Sequence, residues 1–400
     1  MKNLKQIVIV LIAFGIVTLI SGCNDVYANK KQAMETHWEK SAANAKVPAI
    51  KDLLERGEMG QAKKMLAESL QEYPDLAPLH LLAGRISFIE GLTEQARQDF
   101  TQAVELDPTL DEGWNLLGSL DAMDKDNDQA LEHYQKALEL KPANADYRVS
   151  ISQIQIELGQ TDEAKKTIQE GLARHPRNLD LLLSLAHLHQ QLSETEQAIQ
   201  VYEQAQLMHG DDPRILESCG YAYVASQQWQ KAAEKFELLR ARYQPQTEQY
   251  NVVLRSLAMC SFNAENYGRA LTCYDELSVT YRNDPEVWIG MAQAALGLDD
   301  MERSVHFAQK ALKLQPSWPK AYAVLGSAFY MKGQYEESLD AYRHITGDDD
   351  YAAFAWFMTG RCYRQLGQTI QANSAFDRAE QLDPSNELVT TFLKRTLKSL

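Results

Sequence analysis

Apolar and small residues recur along this chain in pairs of helical stretches, and the same pattern returns block after block. In the stretch 111–144, Trp114, Leu117 and Gly118 stand at positions 4, 7 and 8, and Ala130, Tyr134, Ala137 and Pro142 at positions 20, 24, 27 and 32. In 353–386 the same places hold Trp356, Gly360, Tyr363, Gly367, Ala372, Phe376, Ala379 and Pro384 (positions 4, 8, 11, 15, 20, 24, 27 and 32). Positions 4, 7, 8 and 11 are spaced i, i+3, i+4, i+7, which predicts one apolar face of a first helix; positions 20, 24, 27 and 28 predict the matching face of a second. Gly or Ala at positions 8 and 20 allows the two helices to approach closely, and aromatics at 4, 11 and 24 fill the flanking space. Glycine near position 15 suits the turn between them. Proline at position 32 stops the second helix, because it lacks an N–H and clashes with the preceding turn.

The period runs through most of the chain. The interval from Pro74 to Pro108 is repeated to Pro142 and again to Pro176, and twice that interval separates Pro316 from Pro384. Phasing gives ten blocks: 43–76, 77–110, 111–144, 145–178, 179–212, 213–246, 251–284, 285–318, 319–352 and 353–386. A short insertion, Thr247–Tyr250, separates six blocks from four and reads as a seam, close to one helical turn long. All 12 prolines are expected at block edges, or ahead of the first helix in the case of Pro48. A repeat of about 34 residues predicts stacked helical hairpins that bury a continuous core only by stacking. These residues resemble the tetratricopeptide repeat (TPR). The resemblance implies an all-α, right-handed α-solenoid of about ten hairpins whose first helices line a concave groove.

The N-terminus adds a location. Lys2 and Lys5 precede an uncharged run from Ile7 to Ile20, which closes on Ile20-Ser21-Gly22-Cys23. A basic start, a short apolar core and small residues before a cleavage point predict a secretory signal over 1–22. Ile-Ser-Gly-Cys resembles a bacterial lipobox, implying cleavage before Cys23, lipid (palmitate) on its sulfur and a polar tether over 23–42. Asn24 directly after the cysteine, with Asp25 following, favours the outer over the inner membrane, with the repeats facing the periplasm. Cleavage would remove Lys2 and Lys5 and no acid, taking the net charge from −15 to −17. So acidic a chain is a poor match for nucleic acid or for lying flat on anionic lipid. Membrane contact is therefore expected through the anchor only.

Little is left for chemistry. Once the signal is cleaved, the ten blocks leave over only the tether, the insertion and a short C-terminal segment, so no catalytic domain fits. No cofactor, metal site or small-molecule substrate is expected. Cys219, Cys260, Cys273 and Cys362 fall at core positions, as buried free thiols; a disulfide between Cys260 and Cys273, on opposing helices of one hairpin in an oxidising compartment, stays open. Asp124–Asp128 has Gln129 where a calcium loop needs glycine, so it predicts a helix-capping turn, as does Asp348-Asp349-Asp350. His187 and His189, two apart on one helix, point to different faces. Residues 387–400 carry Leu388, Val389, Phe392, Leu393 and Leu397 on one face and Lys394, Arg395 and Lys398 on the other, a pattern for a capping helix.

Within the resemblance, positions 2, 5, 9, 12 and 13 of each first helix face the groove. The carried-over residues concentrate in the C-terminal repeats: Arg255, Met259, Phe262, Tyr330, Phe354, Phe357, Arg361 and Arg364. Aromatics and arginine are enriched at binding hot spots. The lysine–asparagine pair at positions 5 and 9, with which chaperone-tail relatives clamp a terminal carboxylate, occurs in no block. The expectation is a non-enzymatic scaffold for protein partners in an envelope complex such as pilus, secretion, polysaccharide-export or cell-wall machinery. A glycan- or polymer-binding accessory subunit and a purely structural tether are the alternatives.

Overall fold

The computed structural model of the chain describes residues 45–384. The signal (1–22), Cys23 and its tether, and the capping segment (387–400) lie outside the described residues. Among those residues every regular element is an α-helix. They gather into two compact units divided at Ser184 and Leu185, inside one helix rather than at the insertion. The N-terminal unit holds α1 (45–55), α2 (Met59–Glu72), α3 (Ala77–Ile89), α4 (Thr93–Leu106), α5 (Asp111–Met123), α6 (Asn127–Leu140), α7 (Ala145–Glu157), α8 (Thr161–Arg174) and the start of α9 (Leu179–Gln191). The C-terminal unit holds the rest of α9, then α10 (Thr195–His209), α11 (Pro213–Ala225), α12 (Trp229–Arg240), α13 (Glu248–Asn263), α14 (Tyr267–Thr280) and α15 (Pro285–Gly297). It continues with α16 (Met301–Leu314), α17 (Pro319–Met331), α18 (Tyr335–Arg343), α19 (Ala352–Gln365) and α20 (Thr369–Leu382). Odd-numbered helices are the first, and even-numbered the second, of each hairpin.

The turn inside each hairpin fixes the phase. Position 15 has left-handed backbone in every block: Gly57, Gly91, Lys125, Gly159, Ser193, Gln227, Glu265, Asp299, Gly333 and Gly367. Half of these are not glycine, although the conformation costs an L-residue roughly 1–2 kcal/mol. Glu265 (φ 59°) is exposed on such a turn. Glu265→Gly should therefore raise stability by about 0.5–1 kcal/mol, seen as a higher urea midpoint at unchanged slope. In three hairpins the second helix starts on a polar cap: Asp126, Asn266 and Asp300 each accept from the backbone N–H three residues on. Asp126 thus makes the acidic run at 124–128 a capping turn.

Packing inside the hairpin depends on paired positions. A Cβ on Gly84, Gly118, Gly220, Gly326 or Gly360 would come within 3 Å of the ring of Phe100, Tyr134, Phe236, Tyr342 or Phe376, respectively. Position 8 is thus kept bare so that the position 24 ring can lie on the first helix. Position 20 is small and fully buried, as in Ala96, Ala130, Ala164 and Ala232. Where it is serine, the hydroxyl is spent internally: Ser304 donates to Ala292 O (2.9 Å) and Ser338 to Gly326 O (2.8 Å). In several blocks the position 4 side chain ties its helix to the preceding connection through one hydrogen bond. The indole N–H groups of Trp114 and Trp288 donate to the carbonyls of Pro108 (2.9 Å) and Arg282 (2.8 Å), six residues back. Buried Arg148 takes the same role, donating to Pro142 O at 2.7 Å, with glycine (Gly171) rather than alanine at position 27 beside it.

One feature differs from the sequence reading. Pro48 sits within α1 rather than ahead of it. The insertion, about one helical turn long, lengthens the helix that follows it, as its length predicts. Thr247 caps α13, which is 16 residues long where α11 and α15 have 13. Buried Tyr250 accepts from Arg240 of α12 (3.0 Å) and donates to Glu276 of α14 (2.5 Å), so the extra turn is tied to both neighbours.

Candidate functional site

The C-terminal unit contains a cleft of about 530 Å³ along its first helices. Phe262 and Tyr267 form one wall, Gln293, Leu296 and Gly297 of α15 the next, and Lys320, Ala323, Val324 and Ser327 of α17 the third; Asp350, Tyr351 and Phe354 close it. Its shape follows from small residues next to rings. A side chain at Gly297 would meet the Tyr267 ring at 2.6 Å, so glycine lets that ring lie against α15. Phe262 packs edge-on to Tyr267 (5.5 Å), and Phe354 edge-on to buried Tyr342 (5.8 Å). Ser327 is fixed by Ala323 O (2.8 Å) and the Tyr342 hydroxyl (2.9 Å).

The fourth side depends on a shortened helix. The ninth block has Asp350, not proline, at position 32, and its second helix, α18, stops after 9 residues at Arg343. Asp348 accepts from the N–H groups of Asp350 and Tyr351 (both 3.1 Å), and that turn sets both residues on the cleft rim. Burial, then the carboxylates of Asp348 and Asp350, pushes the Tyr351 hydroxyl pKa up, so it stays a neutral donor.

Beyond the cleft, α17 and α19 carry a stacked pair. The Arg361 guanidinium lies 4.6 Å from the Tyr330 ring centroid, and Tyr330 meets Tyr335 edge-on at 5.5 Å. Met259 is exposed on α13 and Arg364 on α19. Two of the expected groove residues are used internally. Arg255 is held by Asp284 at 2.6 Å and stacks on Tyr281 at 4.6 Å, so its charge is already compensated. Phe357 is only 8% exposed and packs on Phe376 (centroids 5.9 Å). Gly360, three residues on and on the same helix face, is the bare spot on which Phe376 lies, and this draws Phe357 into the core rather than the groove. Of the eight groove residues, Phe262 and Phe354 line the cleft itself. Sequence reading passed over α15, which has neither an arginine nor an aromatic at its groove positions; its signal was small size.

Cys219, Cys260, Cys273 and Cys362 are free and buried. The bridge weighed for Cys260 and Cys273 is not made. Burial pushes both thiols up to about 11, which leaves very little of the thiolate that attacks in disulfide chemistry. Among the described residues no group of His, Cys, Asp and Glu is arranged to hold a metal ion. His189 instead pairs with Glu194 at 2.6 Å. Nor is any described helix long and apolar enough to cross a membrane.

Comparison with known proteins accounts for this regularity. Tetratricopeptide repeat profiles match residues 77–110, 289–353 and 353–386, and the profile described as the cytochrome c-type biogenesis protein H TPR domain matches 107–215. The single-repeat matches coincide with the hairpin blocks. The chain is a tetratricopeptide repeat protein. TPR repeats imply a protein-interaction scaffold, and TPR proteins are in general without catalytic activity. Protein bimA of Emericella nidulans is 23% identical over 177 residues, 44% of this chain and 22% of bimA. Anaphase-promoting complex subunit 3 of Schizosaccharomyces pombe is 22% identical over 45% of this chain and 26% of its own length. The TPR chain thus spans about a quarter of the length of these curated relatives. Pseudomonas aeruginosa pilF, a solved structure, is 20% identical with a TM-score of 0.46, covering 54% of this chain and 97% of that one.

Proposed function

We propose that this TPR protein is a lipid-anchored scaffold of a bacterial envelope assembly complex, facing the periplasm and holding a partner protein in the cleft of its C-terminal unit. The observation that carries the binding site is the cleft itself: about 530 Å³, walled by Phe262, Tyr267, Leu296, Val324 and Phe354 and edged by Lys320, Asp350 and Ser327. Concave, mostly apolar sites with a few polar groups at the rim are where proteins take up ligand side chains. The anchor rests on the Ile20-Ser21-Gly22-Cys23 box, and Asn24 favours the outer membrane. The acidic balance of the chain keeps its body off an anionic bilayer.

Gln293 offers a way to fill the cleft, because it lies on the wall and is only partly buried. Gln293→Trp should leave the circular dichroism spectrum and melting unchanged. It should also remove the principal partner from pull-downs of detergent-solubilised envelope. If the folded variant keeps every partner at wild-type level, the cleft is not the docking site.

A further inference from the structure

The groove of the C-terminal unit pairs its apolar cleft with a cation that has no acid of its own. Arg240, Arg255, Arg269, Arg303 and Arg343 of that unit each hold a carboxylate. Among the described residues Arg361 has no carboxylate partner: its contacts are the Tyr330 ring and the Met358 sulfur at 3.7 Å. An aromatic ring and a thioether sulfur are both weak acceptors, so neither satisfies the guanidinium's donors as a carboxylate would. In a chain of net charge −15, an arginine held on a ring beside a cleft, with no carboxylate on its donors, is complementary to an incoming carboxylate.

The helices also set the distance. Ser327 lines the cleft and Tyr330 follows one turn later on α17; Phe354 lines it and Arg361 follows seven residues later on α19. At about 1.5 Å per helical residue, the cation lies on the order of 5–10 Å from the cleft edge, measured along α17 and α19. An extended chain advances about 3.3 Å per residue, so two to three residues span that gap.

We propose that the groove reads an extended acidic–apolar segment of a partner protein. One aromatic or branched aliphatic side chain fills the cleft, and an aspartate or glutamate two or three residues away is forked by Arg361 on its Tyr330 platform. This rests on the reading of the cleft as the docking site and names what enters it. Arg255 and Lys320 do not compete for the acid, since Asp284 and Glu286 already face them, at 2.6 and 3.5 Å.

The test is selection of random peptides displayed on phage against the full chain, its Arg361→Glu and Arg361→Lys variants and the Gln293→Trp variant, each checked for fold by circular dichroism. Wild-type binders should share a bulky apolar residue with Asp or Glu two or three positions away. Changing that acid to lysine in a synthetic copy should weaken binding at least about tenfold, or about 1.4 kcal/mol. Arg361→Glu should select lysine or arginine at the same spacing, and Arg361→Lys should retain the acid with weaker binding, because it keeps the charge and loses the fork. Binders that Gln293→Trp abolishes, but with no acid preference or with the same consensus from Arg361→Glu, overturn this inference and leave the cleft reading standing. Binders untouched by Gln293→Trp, or no binders at all, overturn both.

Discussion

Phe357→Ala should destabilise the C-terminal unit by about 3–5 kcal/mol, the usual cost of deleting a large buried ring and leaving its cavity. A position rule for the groove gives the opposite expectation, since an exposed aromatic can be truncated for little. The difference comes from the packing of the last hairpin. Phe357 sits in one apolar cluster with Tyr342, Ile345, Met358, Cys362 and Phe376. Its ring partner Phe376 rests on bare Gly360, where even a Cβ would come within 2.6 Å. Alanine at 357 cannot be compensated by Phe376 moving inward, because the α19 backbone is already there. Arrays of this kind are coupled mainly between neighbouring repeats, so the loss should first appear as earlier melting of the C-terminal unit. Chemical denaturation of the purified variant measures it. A loss below about 0.5 kcal/mol, the range of surface substitutions, would return Phe357 to the groove.

Cys23→Ala should abolish both lipidation and cleavage. The side chain proposed to carry the lipid is absent, and so is the residue that defines the cleavage point after Ile20-Ser21-Gly22. Buried acyl methylenes contribute about 0.8 kcal/mol each, and one chain alone binds only marginally, so a stable anchor needs the full lipid group. The expected outcome is a longer, unprocessed precursor that takes up no labelled fatty acid, while the repeats keep their helical spectrum. Equal labelling of wild type and variant overturns the lipoprotein reading.

What could be read in the residues was everything local. Helix faces follow from apolar spacing within one block, and the turn follows from position 15, where Gly57 and Gly91 share a left-handed backbone with Lys125 and Glu265. Caps follow from Asp126 and Asn266, and the bare position 8 from Gly118 and Gly326 opposite Tyr134 and Tyr342. Each of these signals lies within a single block and returns in several others, so an error in one block is corrected by its neighbours.

The functional surface did not have that redundancy. The sequence determined that Phe262 and Phe354 stand at groove positions, and by the same rule it placed Phe357 and Arg255 there. Tertiary structure alone took Phe357 into the core and gave Arg255 to Asp284, 29 residues away. It also built the cleft out of residues without a strong signal of their own: Gly297 under the Tyr267 ring, and Asp350 and Tyr351 brought to the rim by a helix that stops at Arg343. The physical reason is that a repeat template fixes the direction in which a Cα–Cβ bond points. Whether that side chain ends in water, in a neighbouring ring or on a carboxylate is decided by the volumes and charges that the adjoining hairpins present to it.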